Sequence, residues 1–252
     1  MIDALLMNPL LSRALHPDYP AIKAEHIEPA VNTLLTEAKS RLLDIVEKDA
    51  SLGWDEIISP LDDALDALSR SWGIVGHLNA VMDEPCWRKA FNQMLPQVTQ
   101  FYTELEQNQP LFDCYKNLLS KIPQRNDFGL SSQRRRSLVL SIRDFRLSGA
   151  ELPAKEREKL AEIIRSLSQL AQKFSENVLD ATNASEFYVE DGSSLSGLPD
   201  DVIEAASHSA KGQNRPGWRF TPHMPSYLPV MQYAHDRSFR QKMYRSYCTL
   251  AS

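Results

Sequence analysis

Glycine is scarce in this sequence, occurring nine times in 252 residues. Neither an internal repeat nor a low-complexity linker is present. The apolar residues recur mostly every three or four positions, a spacing that indicates α-helices. Because 42% of the residues are hydrophobic and 24% are charged, the composition predicts a globular protein with a sizeable buried core.

Cysteine is also rare. Cys86, Cys114 and Cys248 are odd in number, lie far apart and form no C-x-x-C pair. A disulfide framework and a thiolate zinc site are therefore not expected, and a reducing cytoplasm fits best. The first residues are apolar in places but include Asp3 and Arg13. With no long uncharged apolar run in the chain, we expect neither secretion nor a membrane span.

An excess of positive charge is missing too. The sequence has 28 basic and 33 acidic residues spread along the chain, giving a formal net charge of -5. Nucleic acids and anionic membranes attract proteins with basic patches. We therefore expect no nucleic-acid partner and no membrane partner.

The common catalytic motifs are absent. None of the six histidines has a second histidine four residues away, as a His-Glu-x-x-His zinc helix requires; they are His16, His26, His77, His208, His223 and His235. The string from His26 to Glu28, taken with Pro85 and Cys86, faintly resembles a zinc-deaminase signature, but position 89 is Lys where that signature needs Cys.

The other motif searches also fail. The string GSSLSG at 192–197 does not fit G-x-S-x-G, and neither Walker A nor G-x-G-x-x-G occurs. From the residues themselves we predict no catalytic residue and no metal ligand, and the substrate-binding residues stay unknown.

Several long helices are predicted. The clearest carries one apolar stripe that we expect to form core: Leu160, Ile163, Leu167, Leu170, Phe174 and Val178. On that expectation, Phe174→Ala costs roughly 3–5 kcal/mol. A second helix opens near Pro29 and turns these residues inward: Val31, Leu34, Leu35, Ala38, Leu42 and Ile45. A third runs from Leu61 towards Met82, with Gly73 and Gly76 predicted to allow close approach of a neighbouring helix.

Further helices are predicted at about 87–105, 111–120 and 131–147, separated by the turn signals QNQP and PQRNDFG. The pattern changes after Asp180. Two short strands are predicted to pair as a β-ribbon near residues 185–225, with a short helix after Pro199 between them and helix again from Tyr227. The predicted fold is mainly α, one continuous body of long antiparallel helices with this small insertion.

Three local features each allow two interpretations. The arginines of QRRRS at 133–137 could contact phosphate, but a solvated helix face is favoured. Arg143 beside Asp144 could bind substrate, but a salt bridge with Phe145 turned inward is favoured. His77, next in sequence to Leu78 and Asn79, is favoured as a packing residue.

The last apolar pattern runs almost to the final residue. Phe239, Met243, Tyr244 and Tyr247 have helical spacing, and no glycine cap or trailing proline precedes Ser252. This pattern predicts that the chain is the first part of a longer protein.

Seven strings together resemble one known family, in its order, from residue 8 to residue 252. They are NPLL, IKAEHIEPAV, HLNAV, RDFRLSGAELP, LSQLAQKFSENVLDAT, LSGLPDD and SYLPVMQYAHDRSFRQKMYRSYCTLAS. They resemble the N-terminal part of the thimet oligopeptidase and neurolysin family of zinc metallopeptidases.

The resemblance implies a function for a parent protein. Family members are cytosolic peptidases that trim short peptides inside a two-lobed helical shell, with one zinc ion held by His-Glu-x-x-His and a downstream Glu. Those ligands would lie beyond Ser252, so no catalytic or zinc residue is transferred to this chain. Residues 1–252 are then a non-catalytic segment that lines part of the substrate channel, holds no zinc, is inactive alone and self-associates through an exposed apolar face.

A second hypothesis stays open. The chain could instead be a stand-alone helical adaptor that binds a peptide or protein partner without enzymatic activity. A His-Glu-x-x-His helix encoded in frame after Ser252 would favour the peptidase, whereas a stop codon there would favour the adaptor.

Overall fold

The fold is mainly α, as predicted. The computed structural model describes residues 8–47, 53–122 and 130–250, so the turn signal PQRNDFG at 123–129 lies outside the described residues. The α-helices are α1 Ile27–Val46, α2 Trp54–Met82, α3 Pro85–Glu106, α4 Gln109–Lys121, α5 Leu130–Leu147, α6 Ala154–Ala184, α7 Asp200–Gly212, α8 Met224–Tyr233 and α9 Arg237–Cys248. Within the described ranges, no helix is both long and apolar enough to cross a membrane.

The chain forms two compact units rather than one continuous body. Unit 1 is Met1–Gln169 and unit 2 is Leu170–Ser252. The division falls inside helix α6, so no proline- or glycine-rich linker marks it in the sequence. This is why the sequence pattern indicated a single body.

Unit 1 is a helical body in which α1 packs against α2, α3 and α4. Helix α1 begins at Ile27 with Pro29 in its first turn, as predicted, because the missing N–H of proline costs nothing there. Of the predicted inward residues, Leu42 is half-buried and the others are buried: Val31, Leu34, Leu35, Ala38 and Ile45. The largest fully buried side chains of the unit include Phe101 and Phe112.

The prediction for the two glycines of α2 is wrong. A methyl group added at Gly73 or Gly76 would meet no atom within 4 Å beyond the local helix backbone. Both positions therefore face open space, and no neighbouring helix of the described ranges approaches them. Spacing alone does not show which side of a helix is packed.

Unit 2 contains the predicted β-ribbon. Strand β1, Phe187–Val189, pairs antiparallel with β2, Trp218–Phe220, so that Phe187 lies opposite Phe220 and Val189 opposite Trp218. Helix α7 lies between the strands in sequence and packs on β2. The core of this unit consists of Leu195, Leu198, Ala206, Phe220, Tyr227, Val230, Ala234, Phe239 and Met243.

The helical end of unit 2 is interrupted. The helix predicted from Tyr227 begins at Met224, ends at Tyr233 and is followed by α9 from Arg237. Asp236 caps α9, because its carboxylate accepts hydrogen bonds from the backbone N–H groups of Ser238 at 2.8 Å and Phe239 at 3.2 Å.

The predicted core stripe on α6 is wrong. Four of its residues are exposed: Ile163 46%, Leu167 60%, Leu170 63% and Phe174 60%; Leu160 and Val178 are half-buried. The half-buried residues of α6 that lie within unit 1 include Leu160, Ile164 and Ser168. Ser168 and Thr99 share a hydrogen bond of 3.0 Å between their hydroxyl oxygens.

Candidate functional site

The histidines have separate local roles. His77 lies edge-on to the Tyr19 ring at 5.7 Å between centroids, as expected of a packing residue. The His26 Nδ1 accepts a hydrogen bond from the Lys23 N–H at 3.0 Å. His223 pairs with the Asn183 side chain at 3.1 Å. Among residues 8–47, 53–122 and 130–250, no three His, Cys, Asp or Glu side chains are grouped to hold a metal ion, so these residues do not fit a zinc site.

Two arginines of the QRRRS string are used inside unit 1. Arg134 forms an ion pair with Asp55 at 3.0 Å and lies over the Trp54 ring, 5.2 Å from its centroid. Arg135 donates a hydrogen bond to the Ile122 carbonyl oxygen at 3.0 Å. These contacts join α5 to α2 and to the end of α4. Arg134 and Arg135 are half-buried, so the predicted solvated face is wrong for these two and holds for Arg136, which is exposed.

The salt-bridge interpretation of Arg143 is confirmed. Its guanidinium lies 2.6 Å from the Asp144 carboxylate, and both side chains are more than half exposed. The next residue, Phe145, is buried against the rings of Phe112 and Tyr115. The surface pair therefore adds little stability, while Phe145 anchors α5.

One recess in the described part of unit 1 lies over helices α1 and α2; we call it the α1–α2 groove. Its cavity volume is about 880 Å³. Its walls are residues 8–13, then Thr33, Leu34 and Glu37 of α1, and Asp63, Asp66, Ala67, Arg70, Ser71 and Ile74 of α2. A second recess that shares Arg13, Glu37, Asp63 and Ala67 extends it towards Asp55.

The segment 8–13 is held in place by side chains. The Asn8 side chain accepts a hydrogen bond from the Leu10 N–H at 3.0 Å and donates one to the His26 carbonyl oxygen at 2.9 Å. Arg70 of α2 donates to the Ala14 carbonyl oxygen. Sequence reasoning missed this groove because these contacts join residues far apart in the chain.

The groove carries acidic side chains of unit 1. Among the described residues, Glu37, Asp63 and Asp66 form no ion pair within 4.0 Å. The Ser71 hydroxyl, at the groove wall, is buried without a hydrogen-bond partner. Arg13 and Arg70 also line the groove, so acidic and basic side chains share its walls, and no nucleophile lies beside a base among its described residues.

Unit 2 places a serine beside a histidine. The Ser196 Oγ lies 3.2 Å from the His235 Nδ1. The adjacent Asp236 does not orient this histidine, since its carboxylate binds Ser238, Phe239 and Ser194 instead. These hydrogen bonds, the one from the Ser238 hydroxyl first, lower the pKa of Asp236 to about 2. The arrangement fixes a turn and lacks the third member that a Ser-His-Asp triad requires.

The turn also depends on one glycine. Gly197 has a φ of +90°, in the left-handed region that favours glycine. A Cβ atom there would lie 2.2 Å from the Tyr233 carbonyl oxygen and 2.7 Å from the His235 ring. No side chain fits in that space. The LSGLPDD string of the sequence resemblance thus includes a residue with a structural requirement.

Comparison with known proteins identifies relatives along nearly the whole chain. Oligopeptidase A of Haemophilus influenzae is 36% identical over 247 residues, covering 98% of this chain and 36% of the relative. Oligopeptidase A of Escherichia coli is 34% identical, with the same two shares. Probable cytosolic oligopeptidase A of Arabidopsis thaliana is 35% identical over 257 residues, covering 99% of this chain and 36% of the relative.

The chain thus spans about a third of the length of the curated relatives it matches. A family model described as the N-terminal domain of Neurolysin/Thimet oligopeptidase matches residues 31–157. That region contains helices α2 to α5 and nearly all of α1, and so most of unit 1. The match confirms the resemblance drawn from the sequence strings, and the chain belongs to the Neurolysin/Thimet oligopeptidase family.

Proposed function

We propose that the chain is the N-terminal, non-catalytic part of a zinc-dependent oligopeptidase that hydrolyses short peptides, and that it contributes a wall of the substrate channel. One observation carries the proposal: relatives named oligopeptidase A align with 98% of this chain, while the chain spans 36% of their length. The zinc ligands are assigned to the remaining two-thirds, because the described residues offer no suitable group of donors.

The proposed location is the cytoplasm. The Arabidopsis relative is named a cytosolic oligopeptidase, and Cys86, Cys114 and Cys248 are all free thiols. Unpaired cysteines fit a reducing compartment. The proposed substrates are short unfolded peptides, since a channel walled by packed helices admits an extended chain and excludes a folded domain.

A chimaeric protein tests this function. This chain replaces the aligned N-terminal third of Haemophilus influenzae oligopeptidase A, and the chimaera and the isolated chain are assayed with a quenched fluorescent peptide. The chimaera should bind stoichiometric zinc and lose its turnover on chelation, whereas the isolated chain should show neither zinc nor turnover. Chelator-sensitive turnover by the isolated chain, or none by a folded chimaera, would contradict the proposal.

The α1–α2 groove favours the second candidate, a peptide-binding adaptor. The carboxylates of Glu37, Asp63 and Asp66 line it, and they can bind the amino group or basic side chain of a peptide. The isolated chain would then bind a fluorescein-labelled basic peptide, and Asp63→Asn with Asp66→Asn would weaken binding. Asp113→Asn is the matched control, because Asp113 lies on α4 and pairs with Lys116 at 2.7 Å. If the isolated chain binds no peptide, the adaptor is excluded.

A further inference from the structure

We infer that the α1–α2 groove is a binding site for a short peptide of two or three residues in its zwitterionic form. Asp63 and Asp66 hold the ammonium group of the peptide, and Arg70 holds its carboxylate. The inference goes beyond the proposed function, because the site lies wholly within unit 1 and needs no catalytic part. It differs from the adaptor in requiring both charged ends of a short peptide.

One face of helix α2 presents both signs of charge to the groove. Asp63, Asp66 and Arg70 are three and four residues apart, so they lie on one side of the helix, and all three line the cavity. An aspartate four residues before an arginine commonly forms an ion pair with it. Among the described residues, Asp66 and Arg70 form no such pair within 4.0 Å, and Arg70 donates to the Ala14 carbonyl oxygen instead. The two charges are therefore available to a ligand.

The groove is negative at one end and positive at the other. Glu37, Asp63 and Arg13 stand where the two recesses meet, since all three line both of them. Two carboxylates face one guanidinium there, so this end has a net negative charge. Arg70 lines the first recess alone, at the opposite end. A zwitterion matches this arrangement, whereas a metal ion does not, because no three acidic, His or Cys side chains of the described ranges are grouped to hold one.

The remaining charges of the second recess are paired with one another or with a neighbour. Arg41 lies 3.8 Å from the Asp44 carboxylate, both on α1. The Asp55 carboxylate lies 3.0 Å from Arg134 of α5. These pairs leave the charge balance of the groove to the side chains named above.

A buried hydroxyl lies at the positive end. Ser71 follows Arg70, lines the groove and is 1% exposed, and its Oγ atom has no hydrogen-bond partner among the described residues. Buried polar groups are nearly always hydrogen-bonded, so an unpartnered one on a cavity wall indicates a ligand. A hydroxyl donates well to a carboxylate, the group that Arg70 also binds.

The spacing of the charges sets the length of the ligand. Because a helix rises about 1.5 Å per residue, Arg70 lies about 6 Å from Asp66 and about 10.5 Å from Asp63 along α2. An extended peptide covers about 3.3–3.6 Å per residue, so two or three residues span these distances. Small-ligand sites measure about 300–1,000 Å³. The cavity of about 880 Å³ is of this size, and Leu10 and Leu34 give it apolar walls for peptide side chains.

Calorimetric titration of the chain with trialanine tests the assignment. The unblocked peptide should bind, and blocking either end, by N-acetylation or as the C-terminal amide, should weaken binding by about tenfold or more. Free alanine, which is too short to reach both ends, should bind at least about tenfold more weakly than trialanine. No binding of trialanine, or equal binding of blocked and unblocked peptides, would overturn the inference.

A double variant tests the ammonium end. Asp63→Asn with Asp66→Asn should weaken binding of trialanine by about tenfold or more. Acetylation of the peptide should then cost no further affinity, because the ammonium group that it removes has already lost its partners. Asp62→Asn is the matched control, since Asp62 precedes Asp63 on α2 but is not part of the groove wall. If acetylation weakens binding equally in the parent and in the double variant, the peptide binds elsewhere and the inference is wrong.

Ser71→Ala tests the carboxylate end. Removing a buried hydroxyl that has no partner should leave the chain without peptide at least as stable as the parent, as measured by thermal unfolding. The affinity for trialanine should nevertheless fall, and amidation of the peptide should cost less affinity in this variant than in the parent. Unchanged affinity of the folded variant would contradict the inference.

Activity of the chimaera separates this inference from the proposed function. If the chimaera is an active zinc peptidase but the chain binds no trialanine, the inference about the groove fails and the function stands. If the chain binds trialanine as expected but the folded chimaera is inactive, the inference stands and the function fails.

Discussion

Helices α1 and α6 have the same kind of sequence pattern and opposite surroundings. Both carry large apolar residues every three or four positions. In α1 that row is buried, with Val31 and Ala38 fully inaccessible, whereas in α6 Leu170 is 63% exposed. The comparison teaches that periodicity identifies a helix and its apolar face. It does not show whether that face is buried by other residues of the same chain.

The largest effect is expected in the core of unit 1. Phe101 on α3 is 1% exposed, and Phe101→Ala should destabilise the chain by about 3–5 kcal/mol because it leaves a cavity. The free energy of unfolding from urea titration measures the change. Leu43→Ala, at an exposed position, should change it by less than about 0.5 kcal/mol. Equal changes in the free energy of unfolding of the two variants would contradict the difference expected between a buried and an exposed side chain.

The next effect concerns the turn in unit 2. Gly197→Ala should destabilise by about 1–3 kcal/mol, because the left-handed backbone is strained for alanine and its Cβ would meet the Tyr233 carbonyl oxygen. Gly212→Ala is the matched control, since a Cβ there would meet no described atom within 4 Å beyond its chain neighbours and its own helix backbone. The midpoint of thermal unfolding is measured for both variants and should fall for Gly197→Ala alone. An unchanged midpoint for Gly197→Ala would show that the turn relaxes to accept the added Cβ.

A smaller effect is expected on α6. Phe174→Ala should change the unfolding free energy of the isolated chain by less than about 1 kcal/mol, because the ring is already 60% exposed and leaves no cavity. The sequence pattern alone predicted a loss of roughly 3–5 kcal/mol, the value for a buried ring. Urea titration distinguishes these two expected losses of unfolding free energy. The larger loss would show that the Phe174 ring is buried in a core.

The smallest effect is a pH dependence in unit 2. Hydrogen bonds lower the folded-state pKa of Asp236 to about 2, below the ordinary value near 3.8. A lowered pKa stabilises the fold above the unfolded-state value, and this contribution is lost as the pH falls from about 4 to about 2. Asp236→Asn should therefore be less stable than the parent at pH 7. It should also lose less stability than the parent as the pH falls from about 4 to about 2. Identical acid profiles would contradict the prediction.

Local patterns predicted the elements well. Pro29 marked the start of α1, and the alternating residues near Tyr188 with the proline-bounded run near Trp218 marked the two strands. These signals are local because a first turn and a strand each depend on a few neighbouring residues.

The contacts between distant residues could not be predicted. The α1–α2 groove needs Arg70 to hold Ala14, and the turn of unit 2 needs Gly197 beside Tyr233. No periodic signal encodes such pairs. The face of α6 was misjudged for the same reason, because the row of Leu160, Ile164 and Ser168 competes with the more apolar row beside it.

The division of the chain inside α6 restricts which insertions and deletions this helix can tolerate. One residue inserted after Gln169 would rotate Leu170 and Phe174 by about 100° relative to Ile163 and Leu167, and the row would be split. Seven inserted residues would nearly restore the alignment, since seven residues make close to two helical turns. Length variation in this helix should therefore occur in steps of about seven residues, whereas an ordinary linker between units varies freely.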